Sequence, residues 1–415
     1  MTVTDRDLFG IAGGRCKESF CDCERYSDLS SANIRSDHCD HSPGSRGKID
    51  ELVSGKKYSF LAEWNDASTF SVRNFILNFF TRDSTVEMIE LKTRRVFLRR
   101  TECEDCSLRD LYAGNVVAVL SRHLRILGYA DTQTAAFLGP KHERAVLVLR
   151  PAGVKRLGDV WAAVEAAGAT VCKALMLRLT PQDVKLLSAN QQEVFDEGLL
   201  SDPAVCIQVL GERVLARLRN QPVKTEGGNS GQQAVTLQTL CWISKDKPSA
   251  EKESVVLFGS QFDRRCNTAV FENTTCCVVK PHVFRDGNVS SVLRKILTSG
   301  FEVTALQMFH LDCAKAEEFL LVYKGVAPNY TTMVQQLCSG PCLAMEVRSS
   351  SDSQNSALHL KELVGPADPV LARRLYPDSL RADVGRDLHK NGVHCTDVPE
   401  DSGIEVEFFF HAGKS

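Results

Sequence analysis

From Tyr58 to Leu138 apolar residues recur in short runs, YSFLAEW, NFILNFF, TVEMIEL and RRVFLRR, each a few residues from the next. Short, closely spaced apolar runs of this kind are the mark of strands joined by tight connections. The pattern predicts an antiparallel β-meander. LRDLYAGNVVAVLSRHLRILGYAD follows, with a turn at Gly114 and Asn115 and strand-like runs on either side, so a small β-domain closed by these runs is expected. Residues 1 to 55 have no sustained apolar periodicity. They are polar and rich in Gly, Ser and Asp, and cannot bury enough surface to offset chain entropy. They read as a tail that is disordered or ordered by a partner.

The chain then repeats itself at a spacing of about 130 residues. AVLVLRPAGVKRLGDVWAAVEAAGATVCKALMLRLTPQD, from Ala145, returns as CCVVKPHVFRDGNVSSVLRKILTSGFEVTALQMFHLDCAK, from Cys276. Each copy predicts a buried strand ending at Arg150-Pro151 or Lys280-Pro281, a helix closing at Gly168 or Gly300, and a second strand. DPAVCIQVLGE and GPCLAMEVRSS supply a further apolar strand in each. Strand, helix, strand, helix, strand, helix-rich segment, strand is the order of a ferredoxin-like βαββαβ unit with additions, so two α/β units in tandem are expected.

Composition changes this picture little. The 415 residues are 43% hydrophobic and 25% charged, as in a multidomain globular chain. Fifty Lys plus Arg against fifty-two Asp plus Glu leave a net charge of −2, and no global field points to nucleic acid. Neither a secretion signal nor a membrane span is expected, and the sixteen scattered cysteines read as thiols of a reducing, cytosolic compartment. Cys16, Cys21, Cys23, His38, Cys39 and His41 are metal-capable, but their spacing matches no paired CxxC framework, so no metal site is predicted there. Cys103 and Cys106 read as an incidental surface pair.

The chemistry-bearing constellation lies near the C-terminus. NGVHCTDVPEDSGIEVEFFF places His394 in a loop before a final apolar strand. Lys280 follows a buried strand, where open α/β sheets hold ligands. Arg381 offers a planar fork for phosphate oxygens, and Glu405 can fix the imidazole tautomer from the neighbouring strand. Neutral imidazole is a competent nucleophile toward a γ-phosphoryl group.

Both repeats resemble nucleoside diphosphate kinase domains. The lines FLAEW, TVEMIELKTRRVFLRRT, NTTCCVVKPH, LQMFHLD, VYKGV, GPCLAME, LVGPADP and VHCTDVPED carry the likeness across residues 57 to 412, most strongly from Asn267 onward. One β-domain before two kinase domains is the order of the flagellar branch of that family, and the β-domain resembles the DM-ten (DM10) domain of axonemal proteins. The resemblance implies an α+β chain: a pleckstrin-homology-like β-domain at 57–139, then two tandem ferredoxin-like kinase domains, a degenerate one at 143–265 and one with the candidate histidine at 267–412.

Carried over by residue, the resemblance makes His394 the phosphoacceptor, Lys280 and Arg381 phosphate ligands, and Glu405 the residue that orients the histidine. Asn391 matches the asparagine before the histidine and Thr396 the serine after it. Tyr323 matches a conserved tyrosine near the active site, and Tyr330 takes the place of the aromatic on which the base stacks. A second phosphate-contacting arginine becomes Lys361 and a phosphate-contacting threonine becomes Ala367, which implies weakened nucleotide affinity. The first copy has Arg150 at the lysine position and no histidine between His142 and His282, so it implies a packing module without phosphohistidine chemistry. The expected function is an axonemal microtubule-associated protein, an inner protein of flagellar doublets in contact with tubulin, with weak phosphate transfer from ATP carrying Mg²⁺. A fully active kinase acting in nucleotide supply is the alternative.

Overall fold

The computed structural model describes residues 56–66, 69, 71–120, 122–188, 200, 202–224, 235–259 and 267–410. The N-terminal cysteines and histidines named above lie outside the described residues.

The first sheet is formed by β1 (Lys57–Asp66), β2 (Ser71–Phe80), β3 (Thr85–Glu90), β4 (Val96–Glu102), β5 (Val116–Val119) and β6 (Arg122–Tyr129). Its order is β4-β3-β2-β1-β6-β5, antiparallel throughout. Phe60, Phe75, Leu77, Val86, Met88, Leu124 and Ile126 make one buried cluster, under a helix over Thr132–Leu138. The expected meander is present, with two differences. The sheet is open, because β4 and β5 end it on opposite sides and do not pair with each other. The residues before Gly114 form a single 3₁₀ turn, Leu108–Asp110, in which Asp110 accepts from the Ser107 amide and hydroxyl; both strands of that hairpin follow the glycine. Cys103 and Cys106 are buried in this core rather than on the surface.

The second sheet has eight strands. β7 (Glu143–Leu149), β8 (Thr170–Leu177), β9 (Ala204–Gly211) and β10 (Cys241–Ile243) come from the first repeat; β11 (Thr275–Val279), β12 (Phe301–His310), β13 (Pro341–Ser349) and β14 (Val393–Cys395) come from the second. The order β10-β7-β9-β8-β12-β13-β11-β14 places the fourth, first, third and second strand of each repeat side by side, in mirrored sequence. That is the strand order of a ferredoxin-like unit. The halves meet where Gln307 of β12 pairs with Leu175 of β8.

Helices cover both faces, which is why the strands read as unbroken apolar runs rather than alternating ones. On β7, Ala145, Leu147 and Leu149 face one cluster while Val146 and Val148 face another. On β11, Cys277 and Val279 share the first cluster, and Cys276 and Val278 face a third. One core therefore runs continuously through both halves.

That continuity is set by two helices, Leu157–Ala166 and Val289–Thr298, which cross in contact. A Cβ at Gly158 would stand 2.5 Å from the Arg294 amide nitrogen and 2.8 Å from its Cα. Asp159 accepts from Arg294 at 2.9 Å and from Arg156 at 3.2 Å, and Trp161 meets Phe284 edge-on at 6.3 Å. Overpacking against backbone costs about 1–3 kcal/mol, more than the ~1 kcal/mol that alanine gains over glycine in a helix. Gly158→Ala should thus lower stability by about 1–2 kcal/mol, read as a lower urea midpoint at unchanged slope. An equal or higher midpoint would contradict this packing.

Candidate active site

β14 is only three residues long, yet its register fixes the site. Val278 of β11 stands opposite His394, so the imidazole faces the same cluster as Phe319, Val406 and Phe409. The turn into β14 needs a glycine: Gly392 has φ +90°, and a Cβ there would meet Val384 Cγ2 at 2.5 Å. Its carbonyl accepts from the Lys280 amide at 3.0 Å and its amide donates to His282 Nε2 at 3.1 Å. Burial, with Lys280 nearby, holds the His282 imidazole down to about 3, so it serves as a neutral acceptor.

His394 Nε2 lies 2.9 Å from Glu405 Oε2, with the two side chains 8% and 12% exposed. The same oxygen accepts from Thr396 Oγ1 at 2.9 Å. Thr275 Oγ1 donates to Thr396 Oγ1 at 3.1 Å, and Ser402 Oγ donates to Thr275 at 3.3 Å. A carboxylate can only accept, so the ring proton sits on Nε2 and the lone pair on Nδ1. Phe319 and Tyr323 meet the imidazole edge-to-face at 5.0 and 6.5 Å between centroids.

Glu405 does not come from a strand. Residues Ser402–Phe410 form a helix. Ile404, Val406 and Phe408 suggest a period of two, but the residues buried are Ser402, Val406, Phe409 and Phe410, at helical spacing, and Ile404 is exposed. Likewise His394 lies on a short strand rather than in a loop.

Two groups of polar side chains flank the histidine. Before it in the chain, Lys280 Nζ donates to Asn391 Oδ1 at 2.7 Å, and Asn391 Nδ2 donates to the Ala367 carbonyl at 3.1 Å. Burial, and secondarily the Arg381 guanidinium, pull the Lys280 ammonium down to about 7. Arg381 is buried and donates from Nε and Nη2 to the Val393 carbonyl, at 3.2 and 3.1 Å, and from Nη1 to the Gly365 carbonyl at 2.8 Å. Its fork is thus turned onto the backbone that carries His394. After the histidine, Asp397 accepts from Tyr323 Oη at 2.5 Å, and its carbonyl accepts from Lys361 Nζ at 2.9 Å.

The structure therefore brings Lys280, Tyr323, Lys361, Arg381, Asn391, Thr396 and Glu405 around His394. Tyr330 packs on the same cluster as Phe319 and Tyr323, begins the helix Tyr330–Leu337, and donates its hydroxyl to the Glu317 carbonyl at 3.2 Å. Asp397, Phe319 and His282 were not picked out from the sequence. His282 and Asp397 are neighbours of quoted motif residues, whereas Phe319 carries no local signal and is placed by the tertiary fold alone.

The first repeat has the same strand frame, with Trp242 where the second has His394. Trp242 stands opposite Val148, two residues before Arg150, as His394 stands opposite Val278, two residues before Lys280. Glu253 and Ser244 occupy the same offsets from Trp242 as Glu405 and Thr396 do from His394, and Ser244 Oγ donates to Glu253 Oε2 at 2.6 Å. Burial pushes the Glu253 carboxyl up to about 7. A buried tryptophan thus stands where the second repeat has its histidine, with a carboxyl and a hydroxyl at the same offsets.

Among the described residues no group of three or more His, Cys, Asp or Glu is placed to hold a metal ion, and no helix is long and apolar enough to cross a membrane.

The family profile described as nucleoside diphosphate kinase matches residues 273–414. The chain is 35% identical to nucleoside diphosphate kinase homolog 7 of Mus musculus over 389 residues, covering 88% of this chain and 98% of that protein. It is 32% identical over 136 residues to the nucleoside diphosphate kinase of Aquifex aeolicus, covering 33% of this chain and 92% of that protein. A crystal structure of the Aquifex aeolicus enzyme covers 33% of this chain and 94% of its own at 32% identity, with a TM-score of 0.31. A C-terminal ferredoxin-like unit carrying His394, within a chain similar over nearly the whole length of the mouse protein, places this protein in the nucleoside diphosphate kinase family, with the homolog 7 proteins.

Proposed function

We propose that the C-terminal half transfers the terminal phosphate of a nucleoside triphosphate to a nucleoside diphosphate through a phosphohistidine at His394. The observation that carries this reading is the bond from His394 Nε2 to Glu405, which leaves the Nδ1 lone pair as the nucleophile. Nδ1 attacks the γ-phosphorus of MgATP, the N–P bond forms as the bond to the bridging oxygen breaks, and the diphosphate leaves. The ring becomes cationic during transfer, and the Glu405 carboxylate, already bonded to Nε2–H, stabilises that charge without reorganising. A second diphosphate then takes the phosphoryl group by the reverse displacement. Lys280 supplies a positive charge near the transferring phosphate, and Mg²⁺ enters bound to the nucleotide.

The first repeat, in this reading, is a second kinase-type unit whose chemistry ended with Trp242, and the N-terminal sheet is a pleckstrin-homology-like DM-ten module. Trp242 also favours a structural role alongside catalysis, in which the chain binds axonemal doublet microtubules. Tagged protein in demembranated flagella is expected in the axonemal pellet. Full release into the soluble fraction would exclude that role.

Incubation with γ-phosphate-labelled MgATP should give an acid-labile label in the full chain and none in His394→Ala. Label retained in that variant would place the acceptor elsewhere. Glu405→Gln should slow labelling about 10- to 100-fold, the worth of a hydrogen bond to a charged group, while nucleotide affinity changes little. An unchanged rate would remove Glu405 from the mechanism.

The Lys280 ammonium gives a pH dependence. With a free-state value of about 7, Lys280 is largely neutral above that pH, and a bound diphosphate must draw a proton onto it. Affinity for ADP should fall between pH 7.5 and 9, by up to about tenfold per pH unit, since binding takes up one proton. Lys280→Arg, charged throughout, should flatten the slope in titration calorimetry. A flat profile in the unmodified protein would show that Lys280 stays charged.

A further inference from the structure

The helices Cys313–Phe319 and Tyr330–Leu337 form a hairpin whose two ends carry thiols. Cys313 opens the first helix and Cys338 caps the second. They are 25 residues apart in the chain, yet their sulfurs stand 3.3 Å from each other. A disulfide is about 2.05 Å long, so closing the pair requires a movement of only about an ångström. We propose that Cys313 and Cys338 are an oxidisable pair, forming a disulfide across the mouth of this hairpin when the protein meets a peroxide.

Access decides which sulfur reacts first. Among the described cysteines Cys313 is half-buried, whereas the others, Cys338, Cys103 and Cys106 included, are buried. The peroxide oxidises the Cys313 sulfur to the sulfenic acid and is reduced to water. Cys338 sulfur then attacks the Cys313 sulfur, the S–S bond forms, and the sulfenic hydroxyl leaves with the Cys338 proton as a second water. The net change is two thiols and one peroxide to one disulfide and two waters. Burial beside Cys313 pushes the Cys338 thiol up to about 12, so it waits protonated and reacts only with the sulfenic acid already beside it.

The consequence falls on the wall of the site. The chain between the two cysteines contains Phe319 and Tyr323, the rings that meet His394 edge-on, and Tyr330. Cys338 is held from outside the hairpin as well, since its carbonyl accepts from His123 Nε2 on β6 at 2.8 Å. A disulfide would fasten the entrance of the hairpin to this fixed point and restrict its opening. The pairing itself does not depend on the chain being an active kinase.

The test treats the full chain with hydrogen peroxide under native conditions, alkylates the remaining thiols, and maps peptides without reduction. The expected result is one Cys313–Cys338 linked peptide, with two thiols lost per chain. The melting midpoint should rise by about 5 °C, as expected for a cross-link closing a loop of this length, and dithiothreitol should reverse it. Cys313→Ser, at the half-buried position, should keep the unoxidised midpoint and show neither linked peptide nor shift. Alkylation of both cysteines after peroxide, overoxidation of Cys313 without a link, a link from Cys313 to another cysteine, or an equal shift in Cys313→Ser would each overturn the proposal.

Discussion

Glu405 accepts two hydrogen bonds on a single carboxylate oxygen, from His394 Nε2–H and from Thr396 Oγ1, in a setting almost closed to water. The remainder of the site follows from that constraint. It decides the tautomer and so which nitrogen keeps its lone pair, and in the proposed transfer it would supply the countercharge for a cationic ring. The Thr396 bond matters because a carboxylate only 12% exposed would otherwise be poorly solvated. Threonine, through Thr275 and Ser402, ties the carboxylate to the backbone of β11 and to the first turn of its own helix.

The first repeat shows what the same frame does without its imidazole. Ser244 and Glu253 still bond, but Trp242 fills the histidine's place among Val148, Cys206 and Leu257. Burial raises the Glu253 carboxyl to about 7, so it is largely protonated in mildly acid solution. An ionised buried carboxylate is costly, so holding a proton is the stable response. The first repeat thus forms a packing frame, with a buried tryptophan where the second repeat has its imidazole and a carboxyl raised by burial eleven residues on. The helices around Gly158 and Asp159 then join that packing frame to the second repeat through one continuous core.

Much of this was legible in the residues. The repeat from Ala145 and Cys276 fixes two βαββαβ orders, and the VHCTDVPED line locates His394, with Lys280, Asn391, Arg381 and Glu405 as its company. What could not be read has identifiable causes. IEVEFFF carries both a period of two and a helical period, and only burial of Val406, Phe409 and Phe410 chooses the helix. Phe319 reaches the imidazole through tertiary packing, which leaves no local trace. Trp242 was invisible as the histidine's replacement because the intervening lengths differ between the repeats, and only the strand register aligns them. The first sheet is open among the described residues because β4 and β5 end it on opposite sides without pairing, and no local pattern in either strand announces that.

The central claim is that Nδ1 of His394, and not Nε2, carries the phosphoryl group. Long-range ¹H–¹⁵N and ³¹P correlation spectra of chain labelled with ¹⁵N-histidine, recorded before and after MgATP, report it directly. The account predicts the Nε2–H tautomer for free His394 and phosphorus coupled to Nδ1 after reaction. Phosphorus on Nε2, or an Nδ1–H tautomer in the free protein, would contradict it.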